Sequence, residues 1–260
     1  MAKPIIGLTG PSQFTPDCID MVENMLGGEP LMLYMNDPDT IKKWVKKCHA
    51  VILCGGVDIH PTIYGESITN GSNLTRFDYK RDLRELAILN NVYEMGKPLF
   101  GICRGHQMIG VSKGMKLVTD LTGGAVCHQP SGQIDVKVWE PTHSVTLVNP
   151  EDFMANFDYA QSAERALINA HMKITPNETL WVNSFHHQGL MYYGTKSKSD
   201  YDGSKGVKVY GFSFVGHQDC KFVIELMTGD KWISTQWHPE YDWRTNDASM
   251  TVLKKFKTML

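Results

Sequence analysis

Gly101-Ile102-Cys103-Arg104-Gly105-His106-Gln107 decides how the chain is read. The apolar run before it, Pro98 to Ile102, predicts a buried strand, and Met108 to Lys113 carries helix-compatible residues. Small residues two before and two after a nucleophile are what a sharp strand-to-helix turn requires. The strained backbone folds back on itself there, and larger side chains at Gly101 and Gly105 would clash. Such an elbow lifts the Cys103 thiol clear of the sheet edge. It also puts the thiol at a helix N-terminus, whose partial positive charge favours the thiolate. With Gly 23 and Cys 6 in 260 residues, chance gives a Gly-x-Cys-x-Gly roughly 5% of the time. The rest of the chain must therefore supply partners for the thiol.

The flanking sequence predicts an α/β fold: an open, mostly parallel sheet flanked by helices, with additional short strands. Pro4 to Leu8 reads as a first strand, ending at Thr9-Gly10-Pro11. Thr15-Pro16 opens a helix with Ile19, Val22 and Met25-Leu26 on one face and Gly27-Gly28 after it. Leu31 to Met35 is a second apolar run, and Asp37-Pro38 begins a helix carrying Ile41, Trp44 and Val45. Ala50 to Cys54 is a third strand, stopped by Gly55-Gly56. Asp78 to Met95 is the longest helical pattern, with Leu83, Leu86-Ala87, Leu89-Asn90 and Tyr93 as its apolar stripe and Gly96 as its cap. Arg81, Asp82, Arg84 and Glu85 are expected to form a solvated face with local ion pairs. This alternation argues for a parallel sheet covered on both faces.

After Gly114 the runs shorten. Met115 to Leu121, Ile134 to Val138, Ser144 to Val148 and Leu180 to Asn183 read as strands. Val207 to Phe214 and Lys221 to Met227 alternate like a hairpin pair, and Trp232 to Trp237 is the last strand. Asp247 to Leu260 closes as an amphipathic helix with Met250, Leu253 and Phe256 inward. Helix signals are weak from Glu151 to Ala166. Tyr64 to Phe77, Gly124 to Gln133 (with Cys127 and His128) and Lys196 to Lys205 read as surface loops, parts of which would form the rim of a site. With no repeat or linker evident, residues 1–260 are expected to be one catalytic domain.

A formal net charge of -2 gives no basic excess that would point to nucleic acid or an anionic membrane as partner. No run approaches the length of a transmembrane helix, and the first residues lack a signal-peptide pattern. The six cysteines form no Cys-x-x-Cys and suggest no zinc site; Cys54 and Cys220 read as small buried apolar residues. Reduced thiols in the cytoplasm fit better than a disulfide framework.

A thiol nucleophile needs a base, and the base needs an orienter. His238-Pro239-Glu240 meets that need. Proline biases the preceding residue towards an extended backbone, where residues i and i+2 point to the same side. Glu240 can then reach one ring nitrogen of His238 while the other faces Cys103. The order Cys, His, Glu also differs from an α/β-hydrolase, which places its acid between nucleophile and His. In the loop Gly55-Gly56-Val57-Asp58-Ile59-His60-Pro61, at a strand's C-terminal end, two glycines let a backbone amide point into a site. Asp58 and His60 are candidate ligand contacts there, although composition alone favours a tight turn with exposed polar residues.

Gly101 to Gln107 together with Gln236-Trp237-His238-Pro239-Glu240 resembles the class I glutamine amidotransferase superfamily. Gly55 to Pro61 with Tyr64-Gly65-Glu66, Arg81-Asp82 and Asn183-Ser184-Phe185-His186-His187-Gln188 resembles its branch containing γ-glutamyl-γ-aminobutyrate hydrolase. The resemblance runs from about Ala50 to Tyr241. It implies a class I glutamine amidotransferase-like fold and a thioester mechanism: Cys103 as nucleophile, His238 as base and acid, Glu240 as orienter, and the backbone amides of Gly56 and Arg104 as oxyanion hole. It implies substrate contacts at Gly55, Gln107, Ser184 and His186, with His187 structural, and no cofactor or metal. Arg104 stands where synthetase-linked glutaminases carry an aliphatic residue; arginine there is usual in the hydrolase branch, and its charge could face a substrate carboxylate.

Three functions follow. The first is a stand-alone hydrolase of γ-glutamyl amides. The second is a glutaminase subunit passing ammonia to a separate synthetase or nucleotide-modifying enzyme. The third is a non-catalytic binding protein on the same fold, against which the complete Cys-His-Glu set argues. The amine half of the substrate is not written in the sequence, and a homodimer and a synthetase partner both stay open.

Overall fold

The computed structural model describes residues 2–10, 16–67, 77–119, 121, 141–147, 179–192, 206–215 and 221–260. Four-residue runs without a polar face make its centre. The first is β1 (Ile5–Leu8), followed by the helix α1 (Pro16–Asp20), which continues as a π-helical turn through Met21–Leu26. Next come β2 (Glu29–Met32), α2 (Pro38–Lys47) and β3 (Ala50–Leu53), then a 3-10 turn at Pro61–Tyr64. They are followed by α3 (Tyr79–Glu94), β4 (Leu99–Ile102) and α4 (Arg104–Ser112). Short strands β5 (Leu117–Val118), β6 (His143–Leu147), β7 (Thr179–Val182) and β8 (Gly189–Tyr192) precede the long pair β9 (Lys208–Val215) and β10 (Lys221–Gly229). The chain closes with β11 (Trp232–Thr235), α5 (Pro239–Asp242) and α6 (Asp247–Lys257).

The sheet runs in the order β2-β1-β3-β4-β11-β10-β9-β6-β7. From β2 to β11 all pairs are parallel, and from β11 outward they are antiparallel. β8 pairs with β10 and β5. Strand alternation sends Val51, Leu53 and Leu99 to one face, where Ile41, Val45, Ile88, Leu89, Val92, Met108 and Ile109 from α2, α3 and α4 cover them. Ile52, Phe100 and Ile102 go to the other, under Met21, Val22, Val252, Leu253 and Phe256. Parallel strands buried on both faces must read as continuous apolar runs, which is why β3 and β4 were legible.

Helix ends follow the predicted chemistry. The Asp37 side chain accepts from Thr40 N (2.8 Å), Asp78 from Arg81 N (3.0 Å), and Gly27 closes the π-turn with φ 76°. Three expectations are corrected. The last strand ends at Thr235, because the chain there leaves the sheet. β8 was not anticipated. The inward face of α3 is not Leu83-centred: Leu83 is 49% exposed, whereas Arg81, Asp82 and Glu85 are buried. Arg81 pairs with Glu85 along the helix, and the two carboxylates are answered by Arg104 on α4, a tertiary contact that helical spacing cannot show. Cys18, Cys48, Cys54 and Cys103 are free thiols, and Cys54 is buried as expected. Cys127, Cys220, His128, the strand at Ile134 to Val138, the weak helix at Glu151 to Ala166 and the loops Gly124 to Gln133 and Lys196 to Lys205 lie outside the described residues, as does most of the Tyr64 to Phe77 loop. No helix among the described residues is long and apolar enough to cross a membrane.

Inside α4, His106 bridges to the neighbouring strands through Nε2 to Ile224 O and Nδ1 to Ser234 Oγ, both 3.0 Å. A carbonyl can only accept, so Nε2 carries the proton and the serine hydroxyl donates to Nδ1. Burial lowers the pKa of His106 to about 4. The unfolded imidazole takes up a proton near 6.5, so stability is lost as pH falls from there through the folded value. Urea unfolding between pH 4.5 and 7 is expected to show this acid limb, and His106→Gln should flatten it by up to about 1.4 kcal/mol per pH unit. A Cβ on Gly105 would lie 2.0 Å from Leu53 O. Gly105→Ala is accordingly expected to cost about 2 kcal/mol or more, lowering Tm by roughly 4–8 °C.

Candidate active site

Between β4 and α4 the backbone of Cys103 stands at φ 50°, ψ −104°, left-handed for a residue that carries a side chain. Such a conformation costs on the order of 1–3 kcal/mol and persists only where its surroundings enforce it. Here Cys103 N–H donates to Thr235 O (2.8 Å) and its carbonyl accepts from Gln107 N (3.1 Å), so strand and helix hold the turn from both sides. The flanking glycines make room. A Cβ on Gly101 would stand 2.6 Å from Ile109 Cδ1 and 3.0 Å from the Gly105 backbone.

β11 lies parallel to β4 with Thr235 opposite Ile102, so the residues after it emerge beside the elbow. Trp237 anchors that exit in the core, donating from Nε1 to Ser249 Oγ (3.2 Å). Asn183 grips the next residue: its Oδ1 accepts from His238 N and its Nδ2 donates to His238 O, both at 2.9 Å. Tyr241 stacks on the imidazole at 5.0 Å and 15°, and Phe185 meets it edge-on at 5.9 Å. Gly55 closes the remaining side, since a Cβ there would stand 2.7 Å from His238 Cε1 and 3.7 Å from Cys103 Cβ.

His238 Nδ1–H donates to Glu240 Oε1 at 2.7 Å. The expected contact is present, but its geometry differs from strand alternation. Glu240 sits in the first turn of α5, so the chain curls to bring the carboxylate back under the ring. Burial works to lower the His238 pKa, yet the Glu240 carboxylate, and after it the adjacent Cys103 side chain, override it and hold the value well above the ordinary imidazole range. The ring's Nε2 is buried without a hydrogen bond among the described residues. Contacts of a catalytic base commonly tighten when substrate is bound.

The Gly55-Gly56 turn leaves β3 above a buried ion quartet. Arg81 Nη2 donates to Cys54 O (2.8 Å) and Gly55 O (3.0 Å), and Nε to Glu85 Oε1 (2.7 Å). Arg104 pairs with Glu85 Oε2 and Asp82 Oδ1. Thr9 Oγ1 donates to Glu85 (2.8 Å), and Asp82 accepts from His60 N (3.0 Å). Burial pushes Asp82 above the usual carboxylate range despite its one guanidinium, whereas Glu85, between two, is held below it. The N–H groups of Gly56 and Arg104 donate to no other described group. Among the described residues no cluster of three or more His, Cys, Asp or Glu side chains could hold a metal ion.

Residues 9–240 match the family described as Peptidase C26. The chain belongs to that family. It is 27% identical over 241 residues to the glutamine amidotransferase-like protein YvdE of Lactococcus lactis, covering 92% of this chain and 85% of that protein. It is 26% identical over 228 residues to the γ-glutamyl-γ-aminobutyrate hydrolase PuuD of Escherichia coli, covering 86% and 77%. A glutamine amidotransferase from Thermotoga maritima shares the fold with a TM-score of 0.52 at 13% identity, covering 99% of this chain and 86% of that one. The protein is thus a C26 member of the glutamine amidotransferase-like hydrolases, with a mostly parallel sheet flanked by helices.

In this C26 chain Cys103, His238, Glu240, Gly55 and the Gly56 turn gather at one place, at the C-terminal ends of β3, β4 and β11. Gln107 reaches inward from α4, donating from Nε2 to Gln188 O (3.0 Å) and Gln236 Oε1 (3.1 Å). Ser184 and His186 are buried in the segment that Asn183 and Gln188 clamp to the site; His186 Nδ1–H donates to Gln188 O (2.9 Å). His187 faces Asp58, with Nε2 at 3.0 and 3.1 Å from its carboxylate oxygens, so Asp58 accepts from His187 rather than standing isolated in a surface turn. His60 caps the 3-10 turn through Thr62 N. The Arg104 side chain is corrected: its guanidinium faces α3, and its charge is spent on Asp82 and Glu85 instead of a ligand. Asn183, Arg81, Glu85, Phe185 and Tyr241 were not given site roles by the sequence; Arg81, Asn183 and Phe185 entered only as members of the motifs that carry the resemblance. Because Glu240 sustains the raised pKa, Glu240→Gln is expected to move the His238 ring titration to lower pH, read by NMR of the imidazole signals.

Proposed function

We propose that residues 1–260 act as one catalytic domain, a stand-alone hydrolase of γ-glutamyl amides. The observation that carries this is the 2.7 Å His238–Glu240 contact beside a cysteine held in a strained elbow. Cys103 Sγ attacks the side-chain amide carbon of a γ-glutamyl group, and the oxyanion lies between the N–H groups of Gly56 and Arg104. His238, oriented by Glu240, takes the thiol proton and returns it to the departing amine as the C–N bond breaks. The thioester is then hydrolysed by water, His238 accepting the water's proton and restoring it to the thiol. Gly55, Gln107, Ser184 and His186 line the acyl side. The preference for an amine leaving group over ammonia delivery rests on the likeness to PuuD and on arginine following the nucleophile.

Purified protein is expected to turn over at least one member of a γ-glutamyl-amine panel that includes γ-glutamyl-γ-aminobutyrate. Cys103→Ala should lower kcat by at least about 10³-fold. Cleavage of glutamine alone, rising when a synthetase is added, would overturn the reading in favour of an ammonia-donating subunit. Asn183→Ala releases the His238 backbone and is expected to lower kcat about 10–100-fold with KM little changed, since a displacement near 1 Å suffices for such a loss.

A further inference from the structure

The ion quartet under the Gly55-Gly56 turn is 0–2% exposed at all four side chains: Arg81 2%, Asp82 0%, Glu85 0% and Arg104 1%. A buried ion quartet is weak ground for stability, because desolvation offsets the attraction and apolar replacements are often as stable. Its position is more informative. Gly55 O and Gly56 N–H belong to one planar peptide unit and point in opposite directions. By holding Gly55 O at 3.0 Å, Arg81 Nη2 fixes the direction of the Gly56 N–H. A charge-assisted bond to that carbonyl also polarises the amide and makes its N–H a stronger donor. Gly56 has φ 150°, and a Cβ there would lie 2.1 Å from Arg81 Nη1, so the guanidinium is seated directly beneath the turn. The second N–H belongs to Arg104, whose side chain is held by Asp82 and Glu85. Glu85 spans both arginines, taking Arg81 on Oε1 and Arg104 on Oε2. Thr9 Oγ1 donates to the same carboxylate and accepts from Cys54 N (3.4 Å).

We infer that Arg81, Glu85, Asp82 and the Arg104 side chain form a positioning device that sets the two oxyanion-hole amides relative to each other and strengthens the one at Gly56. This deepens the proposed mechanism and rests on it for the role of those amides. None of the four guanidinium and carboxylate groups touches substrate; they act through the peptide planes they hold.

Two reactions of Cys103 separate positioning from general damage. Alkylation by iodoacetamide forms an S–CH2 bond as iodide leaves and develops no oxyanion. Acylation by p-nitrophenyl acetate forms an S–acyl bond through a tetrahedral oxyanion as p-nitrophenolate leaves. Both rates are measured after subtracting the Cys103→Ala background. Arg81→Lys keeps the buried charge but loses the planar fork that reaches two carbonyls. Its acylation rate and its kcat on a γ-glutamyl amide are expected to fall about 10–100-fold, with KM and alkylation within about 2-fold of the parent. Thr9→Val changes no charge and should give the same pattern at about 3–10-fold, and it decides the matter if Arg81→Lys does not fold. Unchanged acylation in a folded variant, or alkylation falling in parallel, would overturn the inference. A parent protein that cleaves no γ-glutamyl amide would refute the proposed substrate class, while the ester-to-iodoacetamide ratio would still judge the positioning device.

Discussion

A carbonyl oxygen occupies the space where a side chain on Gly105 would stand. Leu53 O, at the end of β3, lies against the first turn of α4 so closely that only hydrogen fits between them. This contact draws the helix down onto the sheet while β4 continues beneath it, and Cys103 is left to make the reversal in a conformation that L-residues avoid. On the same side Gly55 leaves no room for a side chain, since a Cβ there would meet both His238 and Cys103. The turn, the thiol and the imidazole are therefore not three independent placements. They share one packing restriction, and relaxing it at Gly105 would move all of them.

Two histidines show how the interior assigns charge. Both His106 and His238 are buried. His106 meets a hydroxyl and a carbonyl, dipoles that satisfy a neutral ring, and its pKa falls to about 4. His238 meets a carboxylate at 2.7 Å with the thiol nearby, and its pKa rises. Burial is common to the two, so the nature of the nearest partner decides the sign. The same rule separates Asp82 from Glu85, three residues apart on one helix: burial outweighs the one guanidinium at Asp82 and raises its pKa, whereas two guanidinium groups outweigh burial at Glu85 and lower it.

Features legible in the sequence were those whose cause is local. Gly101 and Gly105 announce the elbow because the clash they avoid lies within a few residues or across one strand. β3 and β4 are readable because strands covered on both faces have no polar positions. Glu240 was found beside His238 because two residues of separation leave little choice, although a helical curl, not an extended segment, makes the contact. Arg81, Asp82 and Glu85 were misread as solvated because helix spacing reports which residues share a face and not what covers it. The partner of the two carboxylates, Arg104, lies 19 residues beyond Glu85 and was itself expected to face a ligand. Asn183 was seen only as part of a motif, since its two bonds to His238 span 55 residues.

The position of β11 has a consequence for how the molecule is made. It is the seam between the parallel and antiparallel halves of the sheet, yet its residues, 232–235, come after every other described strand in sequence. During synthesis the edge of β4 that pairs with β11 stays open until residues 232–235 have left the ribosome, long after β3 is available to the other edge. The nascent chain thus carries an unfilled slot at its centre, and the strand that fills it delivers His238 beside Cys103 in the same event. Completion of the sheet and assembly of the Cys-His-Glu cluster are one step, so a chain interrupted before residue 238 has the Cys103 thiol but no imidazole beside it.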